Sequence, residues 1–178
     1  MTLAVSITES NVKQVLRSFL LGIMPGGVEV ISGLDNRVPE PVGADFIVMT
    51  PNLRMRLSTN HDSYIDANGI HERVEMQPTQ MTVQLDVHGP SSGDNAQIIS
   101  TLLRDGYACE AMGSWGFDIQ PLYAGDPHQV PFINGESQLE ERWVVDAVLQ
   151  VNPVVAPVQD FADAVTIGLI DVDAVYPP

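Results

Sequence analysis

The side chains best suited to chemistry in this sequence are its four histidines, one cysteine and a few clustered acids. His61, His71, His88 and His128 stand far apart, and none has the HExxH or i, i+4 spacing that lets two imidazoles share a metal. His61 with Asp62 and Asp66 has the donors for a cation, but a solvated loop is much the stronger reading. His88 falls on the polar side of an alternating segment, where a supporting role suits it better than ligation. Gly93-Asp94 behind Ser91 could offer free N–H groups to an anion, or could simply be a helix cap. Cys109 lacks an activating base, so the expectation is a small buried apolar residue. Glu140-Glu141 beside Arg142 reads as surface pairing rather than general acid–base machinery. There is no GxSxG, no phosphate loop and no GxGxxG. The expectation is therefore no catalytic set, no metal and no cofactor.

Composition narrows the field further. The chain has 178 residues, with 23 Asp plus Glu against 8 Lys plus Arg, for a formal net charge of -15. A single lysine, Lys13, and seven arginines cannot build the basic surface that neutralises phosphates, so a conventional nucleic-acid binder is excluded. No apolar run approaches the ~20 residues that cross a bilayer. The first residues lack a basic start and long apolar stretch, so no secretory leader is expected. One cysteine suits a reducing cytosol.

The elements that must position these residues follow from periodicity. Val12, Val15, Leu16, Phe19, Leu20 and Ile23 form one face of a helix, with Ser6 and Glu9 at capping-box spacing and Pro25-Gly26-Gly27 as its stop. Val28–Ile31 is a short strand, and 33–45 is a loop dense in breakers. Phe46–Met49 is a buried strand, and 52–72 is an extended hairpin or arm. Met81, Val83, Leu85 and Val87 alternate with polar residues as a half-buried strand. A second helix starts near Ser91 and Asp94 and reaches about Cys109 through Ile98, Ile99, Leu102 and Leu103. Gln120–Tyr123 is an edge strand, and 125–136 is a second breaker-rich loop. Leu139–Val151 is the strongest strand, and 161–175 is a final strand before a Pro-ended tail. One α+β domain over residues 1–178 follows, with a mostly antiparallel sheet and two main helices on one face.

Long loops and an arm are entropically costly unless something orders them. Their natural use is contact with other subunits. Arg37, Arg54, Arg56, Arg142 and Tyr176 are the candidate contact residues, arginine and aromatic side chains being enriched at interfaces.

Several segments then match one pattern. They are Asn36-Arg37-Val38-Pro39, Met49-Thr50-Pro51, Arg56-Leu57-Ser58-Thr59-Asn60, Gly89-Pro90 with Gly93-Asp94, and Gln120-Pro121-Leu122-Tyr123. Asn134-Gly135-Glu136, Asn152-Pro153-Val154-Val155 and Phe161-Ala162-Asp163 through Tyr176-Pro177-Pro178 continue it. From about residue 28 onward the chain resembles the neck-terminator (tail-terminator) proteins of contractile-tailed bacteriophages. The resemblance implies a structural virion protein of the tail neck, assembled in the host cytoplasm as a ring, usually a hexamer. Such a ring stops tail growth and joins the tail to the head. It implies tail tube, tail sheath and head-completion (connector) proteins as partners, with DNA passing through without specific binding. Six copies at -15 each carry -90, an acidic wall that repels the DNA backbone. A head-side connector subunit and, from another class, an acidic DNA-mimic inhibitor are the alternative readings.

Overall fold

A computed structural model describes residues 3–36, 39–133, 135, 137–162, 164 and 166–168. In chain order its elements are α1 (Glu9–Ile23), β1 (Glu29–Ser32), β2 (Phe46–Arg56), β3 (His61–Ala67), β4 (Ile70–Met76) and β5 (Thr79–His88). There follow α2 (Ser92–Leu103), α3 (Gly106–Gly113), β6 (Ile119–Ala124), β7 (His128–Gln129), β8 (Phe132–Ile133), β9 (Leu139–Glu140), β10 (Arg142–Val151) and β11 (Val154–Val155).

The main sheet runs β1-β2-β5-β10-β6, with β7 added beside β10. All of its pairings are antiparallel except β1 with β2. In β5 every second side chain, Met81, Val83, Leu85 and Val87, enters the core. The matching positions of β10, Val145, Ala147, Leu149 and Val151, stand beside them because period 2 puts register partners on one face. Val12, Val15, Leu16, Phe19 and Leu20 of α1 and Ala96, Ile99 and Leu103 of α2 close over this face. The fold is α+β with a mostly antiparallel sheet, as its periodicities require.

Several details differ from expectation, each for a local reason. The cap of α1 is Thr8, whose hydroxyl accepts from the Asn11 N–H at 3.3 Å while the Asn11 amide oxygen accepts from the Thr8 N–H at 2.8 Å. Ser6 is engaged elsewhere, exchanging backbone and side-chain bonds of 2.9 Å with Val154. The second helix stops at Leu103, and a third one starts, because the Asp105 carboxylate takes the Tyr107 N–H at 2.9 Å and caps α3. Ala108 and Met112 of α3 are buried and Ala111 packs beside them, which leaves Cys109 exposed rather than buried. β2 continues through Pro51 to Arg56, because a bulge between Pro51 and Leu53 accommodates the residue without an N–H. The expected strand over 161–175 falls largely outside the described residues, and those described between 161 and 168 belong to no strand.

The arm is a separate unit. β3 and β4 form a hairpin whose turn, Asn68 at φ 55° and Gly69 at φ 77°, is left-handed at both central positions, the requirement of a tight hairpin turn. β11 adds to the other side of β4, giving the order β11-β4-β3. No side chain of β3 or β4 belongs to the hydrophobic core.

Stability should therefore be partitioned sharply. Leu85→Ala is expected to lower the unfolding free energy by about 2–5 kcal/mol through cavity formation. Ile65→Ala in the arm should change it by no more than about 0.5 kcal/mol. Urea unfolding of the two variants measures this, and comparable losses would place the arm inside the cooperative unit.

Candidate assembly surfaces

The residues with chemical potential are mostly held in structural contacts. Asp62 and Asp66 lie on one face of β3, and His61 lies on the other, so the three do not converge. Asp66 is bonded to His71 Nδ1 at 2.7 Å, and Asp62 pairs with Arg73 at 3.4 Å. Among the described residues no group of three His, Cys, Asp or Glu side chains is placed to hold a metal.

The start of α2 is also occupied. The Ser91 side chain makes no cap hydrogen bond; its backbone N–H donates instead to the Asp45 carboxylate at 2.9 Å. That approach depends on Gly89, at φ 105°, since a Cβ there would strike the Ala44 carbonyl oxygen and the Asp45 carboxylate. Nothing in the spacing around Ser91 points to Asp45, which comes from the loop before β2.

His88 is buried at 7 % exposure, in a supporting position rather than on the surface. Its ring stacks on Phe46 at 4.6 Å, and Phe132 of β8 meets it edge-on at 5.8 Å. On the same outer face of the sheet lies Asp86, which accepts from Gln84 Nε2 at 3.0 Å. Arg142 Nε stands 3.6 Å from the Asp86 carboxylate, with the guanidinium 5.7 Å over Phe132. Arg142 is thus one charge of a half-buried pair inside its own chain.

Arg54 and Arg56 lie at the opposite end of β2 and come together. Arg54 makes an exposed 3.4 Å ion pair with Glu9. Arg56 donates to the Ser58 carbonyl and the Asn60 amide oxygen, both at 2.8 Å. Both line a cleft of about 580 Å³ between arm and body, whose floor is Ile7, Val12, Met81 and Val151. Arg37 and Tyr176 lie outside the described residues.

The arm above this cleft has two unlike faces. Register places Ile65, Ala67, Ile70, Val74 and Val158 on one side, with Glu72 among them. Val158, Ile70 and Ile65 are 61 %, 49 % and 42 % exposed. The other side holds Asp62, Tyr64, Asp66, His71, Arg73 and Glu75, cross-linked by ion pairs that include Arg73 to Glu75 at 2.6 Å. Phe161 packs edge-on to Tyr64 at 5.9 Å, and the carbonyl of Pro157 accepts from the Arg73 N–H at 3.0 Å. The chain after β11 thereby stiffens the arm. The two-faced character hides in the sequence, because charged and apolar residues alternate without any long apolar run.

Burial holds the His88 pKa below the usual histidine value, with Arg142 acting the same way and Asp86 and Glu140 opposing. The unfolded chain takes up a proton near pH 6.5 that the folded chain refuses, so stability is fully present above that pH and falls as pH drops through it. His88→Phe keeps the stack and removes this contribution. Between about pH 7 and about pH 5 the wild-type melting temperature should fall further than that of the variant. Parallel pH profiles would mean that His88 titrates normally.

Two comparisons with known proteins bear on these surfaces. A sequence-family model described as phage neck terminator protein matches residues 10–174. No curated protein matches the chain. The matched range covers α1 from its second residue, the whole main sheet and the arm. The chain belongs to the phage neck terminator protein family.

Proposed function

We propose that this protein is the ring subunit that closes the head-proximal end of a phage tail. Membership of the neck terminator family makes it a structural component of the virion. The finer assignment is a ring, sixfold in this reading, that halts polymerisation of tail tube and sheath and offers its far face to the head-completion protein. The observation that carries it is the arm: a stiffened, three-stranded extension with an exposed apolar face that contributes nothing to the core. A monomer gains no stability from such a surface, whereas an assembling subunit requires one.

The charge supports the same reading. A copy at -15 repels DNA, and a ring of such copies gives the genome a channel wall to which it does not adhere. Among the described residues no helix is long and apolar enough to cross a membrane. Repulsion between copies then has to be outweighed at the interfaces by apolar burial and by a few arginine–carboxylate contacts.

Deleting the gene from its phage and viewing the lysate by negative-stain microscopy tests the role. Full heads beside unattached tails of irregular length are expected. Detached tails of uniform length would move the protein to the head side of the joint. Normal infectious particles would end the terminator reading and open the acidic-inhibitor alternative.

A further inference from the structure

We propose that the arm tip of one copy seats in the arm-root cleft of the next, so that the ring is built from a head-to-tail contact; this rests on the ring reading above. The two surfaces are complementary in kind. The tip presents Ile65 and Ile70, half exposed, on one face and Asp66, bonded to His71, on the other. The cleft presents an apolar floor and a rim carrying Arg54 and Arg56. The acid on that rim, Glu75, is already neutralised by Arg73 at 2.6 Å.

Charge selects a second copy as the occupant. With 23 acids against 8 bases, two copies repel over most of their surfaces, and close approach is favourable only where cations are concentrated. The cleft rim has two arginines from one strand. Among the described residues Arg56 holds no carboxylate of its own chain, and the Arg54–Glu9 pair is about half exposed on both sides and readily exchanged. An acidic, apolar-tipped arm fits that rim, and the phosphate backbone does not fit the apolar floor.

The geometry also sets the kind of assembly. A contact between two different patches is heterologous: every subunit gives a tip and receives one, so subunits add in sequence until the ring closes. A seven-residue strand at ~3.3 Å per residue puts a tip about 20 Å from its own root, beyond reach of its own cleft. The contact must therefore be made in trans.

The test uses the full chain in a Cys109→Ser background, with Ile70→Cys at the tip and Gln77→Cys at the cleft. Mild oxidation should give a ladder of covalent oligomers ending at the ring, and Ile70→Cys paired with Leu122→Cys should give none. In parallel, Ile65→Asp with Ile70→Asp should lower the ring fraction at least tenfold by light scattering while far-ultraviolet circular dichroism stays native. Arg56→Asp should do the same and be rescued by Asp66→Arg. If rings form but no ladder appears and the charge swap fails to rescue, the tip-to-cleft contact is wrong and the ring stands. If the wild type stays monomeric both alone and on purified tails, the ring reading itself falls. The cysteine pair keeps the question answerable should the double aspartate variant misfold.

Discussion

The architecture depends on β5 being paired along its whole length on both sides. Ten residues of β5 face ten of β10 in unbroken register, and the same ten face β2 with a single bulge. Because side chains alternate, that double ladder decides at once which residues form the core and which form the outer face. A one-residue slip would put Asp86 and His88 under the helices and expel Leu85 and Val87. The helices can only close over the face that the ladder turns apolar. The outer face is left with Asp86, His88 and Arg142, which it partly buries as a pair beneath Phe132.

The body being complete in this way explains why the arm is free to do something else. β4 is paired on both sides, by β3 and by β11 with the backbone of 157–159, and the arm's ion pairs are internal to one face. What remains is an edge, β3, exposed over all seven residues, and a face whose apolar side chains meet no core. Exposed edges and apolar faces invite uncontrolled association. Here Glu72 sits on that face, and its repulsion disfavours like faces meeting, while Asp62 and Asp66 stand on the reverse. In the proposed ring, association is directed toward a surface that supplies cations.

The sequence made the body legible because its rules are strong where periodicity is long. Period 3.6 over Val12–Ile23 and period 2 over Met81–Val87 and Trp143–Val151 find α1, β5 and β10, the elements that fix the core. Their boundaries and partners were less legible. The break at Arg104–Asp105 is set by one carboxylate capping a new turn, a local bond that competes with continuation of the apolar face. The passage of β2 through Pro51 depends on a bulge that only the partner strand reveals. The burial of His88 depends on Phe46 and Phe132, from elements distant in sequence. Of the arginines singled out by type alone, Arg54 and Arg56 meet at a cleft while Arg142 is drawn into its own chain, a distinction that composition does not contain.

Arginine number and arginine position therefore act separately in this protein. The scarcity of cations keeps the net charge at -15, so the surface as a whole repels a polyanion such as DNA. Yet the same scarcity makes each cation's placement consequential, because self-repulsion acts everywhere else on the surface. Lys13 bridges Glu9 and Asp35, Arg104 ties the end of α2 to Asp126, and Arg73 rigidifies the arm, each neutralising acids of its own chain. These intrachain pairs lower the cost of folding a highly acidic domain without making its surface adhesive. Arg56, bound to a carbonyl and an amide, keeps its full charge at the cleft rim. The proposed tip-to-cleft contact draws on this arrangement, in which attraction at the cleft rim is set against repulsion over most of the remaining surface.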